Sequence, residues 1–563
     1  MPQKLRGGSS DANASATREC RKERLGRCPG RSLRHAIPGL WRRERVAFFA
    51  AAVQLSPAMS APPQAPLRCS TGIAGLDELL QGGLPVGYLY LVQGDPGTGK
   101  TTLALQFLRE GVRGGESCLY VTLSESHAEL TAVARSHGWG LDGIEVREVS
   151  DVAESLGAEA QNTLFHPFEV ELQDVAEVIF EAVRRSDPAR MVIDSVSELR
   201  LLSQSALRYR RQILALKQAL ARQGCTTLLL DDLTSMDPRE DRQLESLSHG
   251  VLALRRSEPP YGAERRGLSV RKLRGSDFAG GTHDYAIETG GLVVFPRLLA
   301  GGGSTAFRRE PIPCGVAGVD QLLGGGLDRG TSTLLLGPAG VGKSTLALTY
   351  AHAVARRGEN VLLCVFDESP DLYRAKAAAL GWDFQDPSEG RRVELRPVDP
   401  ARLSPGQFTQ MVVRAVRQGA ARMVVIDSLN GYDRAMQGGE DLNLQLHELL
   451  SYLAQCGVTT LLVLSQQGYL DQMHSPVDVT YVADTVVVLR YFEAGGSVRQ
   501  AISVAKKRSG GHERTIREFQ VSAEGVRVGE PLTGFRGVLT GVPDYTGEAT
   551  AMLPRASEPE GPS

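Results

Sequence analysis

The sequence contains an internal repeat that covers most of its length. Residues 72–77 read GIAGLD and residues 315–320 read GVAGVD, an offset of 243 positions. Later landmarks recur in the same order at this offset or close to it: Lys100 and Lys343, Glu125 and Glu368, Trp139 and Trp382, Asp194 and Asp427. A chain of 563 residues is long enough for two domains of this size. The repeat therefore predicts two copies of one domain rather than two unrelated ones.

The landmarks divide the chain into five segments. We expect a first domain at 66–300, a Gly/Ser linker at 301–307 and a second domain at 308–535. Residues 1–65 read as a basic, disordered extension, within which Met59 is an alternative start, and residues 536–563 read as a mobile tail.

Short apolar runs alternate with amphipathic helical segments in both copies. Predicted strands in the first copy are 88–93, 118–123, 191–194, 226–230 and 250–254, and in the second copy 332–336, 360–366, 423–427, 459–464 and 485–489. Continuous apolar strands separated by helices indicate a buried, mostly parallel sheet with helices on both faces. The predicted fold class is α/β.

Composition excludes several function classes. The formal net charge is −2, but the first 50 residues are strongly basic, so the rest of the chain is acidic and nucleic acid is not the expected partner. The eight cysteines are scattered singly without a CxxC pair, which argues against a zinc ribbon. Because no apolar run approaches the roughly 20 residues that span a bilayer, we expect a cytoplasmic protein without a membrane partner.

Each copy carries a phosphate-binding loop between a strand and a helix. Residues 94–101 read GDPGTGKT and residues 337–344 read GPAGVGKS, both matching GxxxxGK[ST]. Glycines let backbone N–H groups turn inward around a phosphate, and the helix N-terminus adds a positive dipole. The predicted ATP-binding residues are Gly94, Asp95, Pro96, Gly97, Thr98, Gly99, Lys100, Thr101 and Thr102, and Gly337, Pro338, Ala339, Gly340, Val341, Gly342, Lys343, Ser344 and Thr345.

Magnesium is the expected second cofactor beside ATP. The hydroxyls of Thr101 and Ser344 follow the P-loop lysines, where such a group ligates Mg²⁺. Asp194 and Asp427 end neighbouring strands, so their carboxylates should reach the same crevice.

A glutamate follows the second strand of each copy and is the predicted catalytic base. Glu125 and Glu368 each lie 25 residues after the P-loop lysine, where a carboxylate can orient or deprotonate water. Glu125 could instead belong only to a helix cap, since Ser126 and Glu129 form a capping-box pattern. The second copy adds Asp367, and two adjacent carboxylates raise each other's pKa, so the two sites need not be equally active.

Over residues 67–535 the sequence resembles the KaiC family of RecA-superfamily ATPases. The resemblance rests on GIAGLDELLQGGLP, on VTLSES and VFDESP after the second strands, and on the late motifs KLRG and KKR. It implies two tandem RecA-like P-loop NTPase domains, regulatory or signalling ATPase activity, and a homohexamer with ATP between subunits. Lys272, Arg274, Lys506 and Arg508 would then act in trans on the neighbouring subunit's γ-phosphate.

Two further residues are assigned by the same resemblance. Gln466 occupies the position at which RecA-like proteins sense the γ-phosphate. Thr480 and Tyr481 stand where the family's clock protein has an adjacent Ser-Thr autophosphorylation pair. Only one hydroxyl of that type is present, so Thr480 is the candidate phosphosite of a serine/threonine autokinase and a circadian role is not supported.

The main alternative is a DNA-processing ATPase of the RecA/RadA type. The fold is compatible with such a motor, since fold alone does not fix function. The acidic body and the lack of a separate DNA-binding module argue against it. A protein kinase acting on another protein is a third alternative, although no HRD or DFG motif is present.

Overall fold

The computed structural model describes residues 67–149, 167–203, 205–233, 244–258, 263–298, 307–384, 392–399, 401–435, 442–466, 481–540 and 544–546. Three predicted features lie outside these ranges: the extension 1–65 with its alternative start at Met59, residues 301–306 of the linker, and Thr480. Phe307, that last residue, packs against Gly330 and Gly457 of the second copy.

The first copy is built on one nine-stranded sheet. Its elements in chain order are β1 Arg68–Cys69, α1 Ala74–Leu79, β2 Leu84–Pro85, β3 Leu89–Gly94, α2 Lys100–Arg113, β4 Cys118–Thr122, α3 His127–Ser136, β5 Ile144–Glu148, α4 Pro167–Ser186, β6 Arg190–Asp194, α5 Val196–Leu202, α6 Ala206–Arg222, β7 Thr226–Asp232, β8 Gly250–Ser257, β9 Arg265–Leu273, β10 Thr282–Glu288 and β11 Gly291–Phe295. The strand order in the sheet is β11-β10-β9-β8-β3-β7-β6-β4-β5.

The second copy repeats this plan. Its elements are β12 Pro311–Ile312, α7 Ala317–Leu322, β13 Leu327–Asp328, β14 Ser332–Gly337, α8 Lys343–Arg356, β15 Asn360–Val365, α9 Pro370–Ala379, β16 Val393–Pro397, α10 Pro405–Arg417, β17 Ala421–Asp427, α11 Leu429–Ala435, α12 Leu442–Gln455, β18 Thr459–Ser465, β19 Thr485–Ala494, β20 Ser497–Lys507, β21 Ile516–Ser522, β22 Gly525–Pro531, β23 Phe535–Arg536 and β24 Asp544–Tyr545. Its nine-stranded order, β16-β15-β17-β18-β14-β19-β20-β21-β22, is the same order read from the other edge.

Both sheets are mostly parallel, as predicted. In the first sheet the neighbouring strands β8, β3, β7, β6, β4 and β5 run parallel to one another. Strands β9, β10 and β11 add an antiparallel extension beside β8. The second sheet has the same division, with β20, β21 and β22 as its extension. The fold class, two tandem RecA-like domains, is confirmed.

Each sheet is buried on both faces by its own apolar cores. In the first sheet, Leu91 and Leu229 belong to a cluster on one face, while Tyr90 and Leu228 belong to a cluster on the other. The second sheet is packed in the same way on its two faces. This double burial explains the continuous apolar strands. None of the helices in the described ranges has the length and apolarity that crossing a membrane requires.

The start of the predicted tail contains local structure. Strand β23 pairs with β24, and Val538 is buried in a small cluster with Phe492 of β19.

Candidate functional site

The first P-loop lies at the carboxyl-terminal edge of its sheet. Strand β3 ends at Gly94 and helix α2 begins at Lys100. Gly97 and Gly99 have φ angles of 79° and 91°, the left-handed region that glycine adopts without steric cost. A Cβ on Gly99 would also lie 2.5 Å from Ile287. The loop therefore requires glycine for both its dihedral angles and its packing.

The second P-loop has the same geometry. Strand β14 ends at Gly337, helix α8 begins at Lys343, and Gly340 and Gly342 have φ angles of 76° and 98°. Both loops thus end in a helix N-terminus, where free backbone N–H groups bind phosphate.

The two P-loop lysines are buried and contact their own loops. The ammonium of Lys100 donates to the carbonyl oxygens of Gly94 at 2.9 Å and of Asp95 at 3.1 Å. The ammonium of Lys343 donates to the equivalent carbonyl oxygens of the second loop at 3.0 and 2.6 Å. Burial lowers the pKa of Lys343 to about 8, and the nearby Asp427 opposes this shift. Each loop thus holds one cation at its centre.

Only the first lysine has a carboxylate partner among the described residues. Asp232, the last residue of β7, lies 2.5 Å from the Lys100 ammonium. In the second domain the corresponding strand ends in Ser465, since Gly94 pairs with Asp232 and Gly337 pairs with Ser465 in the two sheets. The shared motifs of the two copies do not reveal this difference.

Asp194 and Thr101 meet in the first domain as predicted. The Thr101 hydroxyl lies 3.2 Å from the Asp194 carboxylate, and the Tyr120 hydroxyl donates to the same oxygen at 2.5 Å. Burial raises the pKa of Asp194, while the hydrogen bonds from Tyr120 and Thr101 oppose that rise.

The second domain brings Asp427 and Ser344 together in the same way. Asp427 accepts a hydrogen bond from Tyr373 and another from Ser344. Tyr373 lies on helix α9, whereas Tyr120 lies on strand β4, so the two domains supply this hydroxyl from different elements. Burial raises the pKa of Asp427 as well.

A hydroxyl beside a carboxylate suits Mg²⁺, which prefers oxygen ligands and keeps several waters. The pairs Thr101–Asp194 and Ser344–Asp427 fit that requirement. No group of three or more His, Cys, Asp or Glu side chains within the described ranges forms a separate metal cluster. Mg²⁺ at these sites would be held by one hydroxyl and one carboxylate side chain, with nucleotide and water as further ligands.

Glu125 lies on the connection between β4 and α3. Its backbone N–H donates to the Thr122 hydroxyl at 2.9 Å, and that hydroxyl donates to the Glu125 carbonyl at 2.7 Å. Burial, reinforced by the charge of Asp194, raises the pKa of Glu125 to about 7. Ser126 and Glu129 form the predicted capping box, and the Glu125 carboxyl takes no part in it.

The acidic pair of the second domain is divided between two partners. Asp367 accepts a hydrogen bond from Ser428, and Glu368 forms an ion pair with Lys376 at 2.5 Å. Lys376 lies on α9, and the corresponding position of α3 is Val133. The two catalytic candidates therefore differ in their cation environment, in addition to the acidic pairing that the sequence showed.

The four predicted trans-acting cations lie far from the P-loops of their own domains. In the sheet register Lys272 lies level with Leu91, three residues before Gly94, and Lys506 lies level with Leu334, three residues before Gly337. Their side chains donate to carbonyl oxygens at the amino-terminal edge, with the following pairs: Lys272 with Ser248 at 2.8 Å, Arg274 with Ser246 at 2.9 Å, Lys506 with Ala483 at 2.7 Å, and Arg508 with Tyr481 at 2.6 Å. The P-loops and these cations thus occupy opposite edges of each sheet.

The remaining predicted residues take varied positions. Gln466 directly follows β18, and its backbone N–H donates to the Gly337 carbonyl at 3.0 Å, so it borders the second P-loop. The Thr102 hydroxyl is hydrogen-bonded to the His137 ring at 3.3 Å, and the Val341 side chain is buried in the apolar core. Thr480 lies outside the described residues.

Sequence reasoning missed four residues that contact these groups: Tyr120, Asp232, Tyr373 and Lys376. Tyr120 had a usable signal, since a tyrosine in a fully buried strand needs a hydrogen-bond partner. Asp232 had one too, as the second of two aspartates that end an otherwise apolar strand. Tyr373 and Lys376 lie on a helix whose orientation only the fold supplies.

Comparison with known proteins places this geometry in a family. A family model described as ATPase: KaiC matches twice, at residues 69–298 and 312–533. The circadian clock oscillator protein KaiC of Parasynechococcus marenigrum is 25% identical over 87% of this chain and 96% of its own length. The protein of the same description from Synechococcus elongatus is 26% identical over 87% of this chain and 94% of its own. Circadian clock protein KaiC3 of Synechocystis is 25% identical over 86% and 95%. With the family model matching twice along the chain and two P-loops of the same build, the chain belongs to the KaiC family of ATPases.

Proposed function

We propose that both domains bind ATP with Mg²⁺ and hydrolyse it, and that nucleotide state regulates a protein partner. The observation that carries the proposal is the twofold occurrence of one arrangement. In each domain a P-loop lysine, a hydroxyl beside a buried aspartate and a glutamate after the second strand surround the same sheet edge.

These residues divide the chemistry between them. Lys100 and Lys343 neutralise the terminal phosphates, and bound Mg²⁺ would add positive charge there. Glu125 and Glu368 orient the attacking water and accept its proton. Autokinase activity at Thr480 is a separate proposal that rests on the family resemblance.

The hydrolysis test uses the purified chain with each P-loop disabled in turn. We expect slow ATP hydrolysis that DNA does not stimulate. Lys100→Ala should remove hydrolysis by the first domain and Lys343→Ala hydrolysis by the second. The double variant should remove both activities. Strong stimulation by DNA at modest salt would favour the DNA-processing alternative. Unchanged ATP binding in both single variants would show that the site assignment is wrong. Phosphate incorporated at Thr480 tests the autokinase proposal.

The four distant cations imply an oligomer, which we propose is a homohexamer. Lys272, Arg274, Lys506 and Arg508 lie at the edge opposite to the P-loops of their own domains, which supports assigning them to a site on an adjoining subunit. The mass in solution should rise about sixfold when ATP and Mg²⁺ are added. A chain that stays monomeric under these conditions would contradict every trans-acting role.

Mixing variants tests the trans-acting role directly. Two chains are prepared, Lys100→Ala with Arg508→Ala and Lys100→Ala with Lys343→Ala. Each should hydrolyse ATP about a thousandfold or more slowly than the chain with Lys100→Ala alone. When the two chains are disassembled and mixed, activity should return at interfaces where the intact second P-loop of the first chain meets the intact Arg508 of the second. The control is Arg527→Ala, which changes a half-exposed arginine on β22. No recovery on mixing would place Arg508 outside the site.

A further inference from the structure

We propose that Asp232 makes the first domain select against ATP relative to ADP, a preference that the second domain lacks because Ser465 stands in its place. The inference rests on the proposed ATP binding and specifies how the two sites differ. Asp232 and Ser465 end equivalent strands, and each lies opposite the first glycine of its P-loop.

The position of the Asp232 carboxylate supports this role. It lies 2.5 Å from the Lys100 ammonium, the cation that must also neutralise the terminal phosphate. A carboxylate and a phosphate that share one ammonium are held within several ångströms of each other, so their negative charges repel. ATP brings an additional charged phosphate to this point, which ADP does not.

Asp232 also adds negative charge to a site that already contains two acids. Its charge contributes to raising the pKa values of both Glu125 and Asp194. The proposed base must stand opposite the γ-phosphate to activate water. Through its contact with Lys100, Asp232 places a further negative charge beside the cation that the terminal phosphate needs, and ATP and ADP differ in that phosphate.

The backbone at this position is fixed in both domains by equivalent residues. The Ser197 hydroxyl accepts from the Asp232 N–H at 2.9 Å, and the Asn430 side chain accepts from the Ser465 N–H at 2.7 Å. Ser197 and Asn430 each lie three residues after the strand-end aspartate. The two side chains can thus be exchanged on similarly supported backbones.

The residues that directly precede Asp232 and Ser465 also differ between the two domains. Asp231 is fully buried, forms an ion pair with Arg200 at 2.7 Å and accepts from Gln93 at 3.3 Å. The register places Leu464 and Leu336 at the corresponding positions of the second sheet. The partners of the buried Asp231 fix the end of strand β7, and Asp232 is the next residue.

The test compares ATP and ADP affinities at one domain at a time. Fluorescent ATP and ADP analogues are titrated into chains that carry Lys343→Ala, so that only the first site binds. Asp232→Asn and Asp232→Ser should tighten the ATP analogue roughly tenfold, and the ADP analogue much less. The reciprocal Ser465→Asp, in a Lys100→Ala chain, should weaken the ATP analogue by a similar factor. Asp142→Asn, an exposed acid of the first domain, should leave the ratio unchanged.

The outcomes separate this inference from the proposed function. Binding of both analogues with an unaltered ATP-to-ADP ratio in the Asp232 variants would overturn the inference alone. Equal loss of both nucleotides in Asp232→Asn would also overturn it, because Asp232 would then only position Lys100. Failure of the unaltered chain to bind either analogue would overturn the proposed function.

Discussion

At the residue scale, the two catalytic candidates have different electrostatic surroundings. Glu125 is half-buried beside Asp194, which raises its pKa to about 7. Glu368 instead has Lys376 at 2.5 Å. Burial near another acid disfavours the ionised carboxylate of Glu125. Hydrolysis by the first domain should therefore depend on pH.

Hydrolysis by the first domain should depend on pH with a midpoint near 7. Glu125 accepts a proton only when it is ionised, so the rate should rise as pH increases through about 7 and fall below it. The measurement is the rate of ATP hydrolysis between pH 5.5 and 8.5 in a Lys343→Ala chain. Glu125→Gln should abolish hydrolysis while ATP still binds. A rate independent of pH over this range would assign the base to another group.

The same shift has a consequence for stability. A raised folded-state pKa means that the ionised carboxyl is disfavoured in the fold, so stability is lost as pH rises from the unfolded value through about 7. Glu125→Gln should therefore raise the melting temperature above pH 7 and have little effect near pH 4. A melting temperature that falls in the variant at pH 8 would contradict this electrostatic account.

At the element scale, helix α3 begins immediately after Glu125 and is held by a complete capping box. The Ser126 hydroxyl accepts from the Glu129 N–H at 3.3 Å, and the Glu129 carboxylate accepts from the Ser126 N–H at 2.8 Å. Such a cap satisfies backbone groups that the first helical turn leaves unpaired. Because Ser126 follows Glu125 directly, the cap also restricts the backbone of the connection that carries Glu125.

Loss of this cap should loosen the first turn of α3. Ser126→Ala removes an interaction worth about 1 kcal/mol, so amide exchange in the first turn should accelerate about fivefold. Hydrogen exchange resolved by peptide is the measurement. Ser136→Ala, which alters the last turn of the same helix, is the matched control. Equal exchange rates in the first turn would show that tertiary packing alone holds it.

The parallel strands and P-loops could be predicted from sequence because their signals are local. Apolar runs and GxxxxGK[ST] motifs need no knowledge of distant residues. The antiparallel extensions were harder, because β9 and β20 carry polar side chains toward solvent and break the apolar pattern. The partners Tyr373 and Lys376 depend on how helix α9 faces its neighbours, which spacing along the chain does not encode.

At the scale of the whole molecule, the two domains contact each other through β10 and α10. The Asp284 carboxylate accepts from the Gly406 N–H at 2.7 Å in the first turn of α10. A Cβ on Gly406 would lie 2.7 Å from the Asp284 Cβ, so the approach requires glycine. Arg297 adds an ion pair with Glu448 at 2.9 Å. A negative charge at a helix N-terminus is favourable, so the Asp284 carboxylate stabilises this contact.

Removing that charge should weaken the contact between the domains. Asp284→Ala should cost about 1.5 kcal/mol, since it deletes a charged hydrogen bond to a helix N-terminus. In calorimetry the two domains should then unfold at more widely separated temperatures. Asp284→Asn, which keeps an acceptor but not the charge, should have an intermediate effect. Asp277→Ala, at an exposed acid of the same domain, is the control, and an equal effect there would rule out a specific role for Asp284.

The tyrosines at the strand-end aspartates also restrict how this tandem gene can recombine. Where the first domain has Tyr120 and Leu130, the second has Leu363 and Tyr373, all of them buried. A crossover between the copies within this stretch would yield a chimera with two tyrosines competing for one carboxylate, and a reciprocal chimera with none. The first would be overpacked and the second would have a cavity beside an acid that has lost a donor. Both chimeric domains should therefore be less stable than either parent domain.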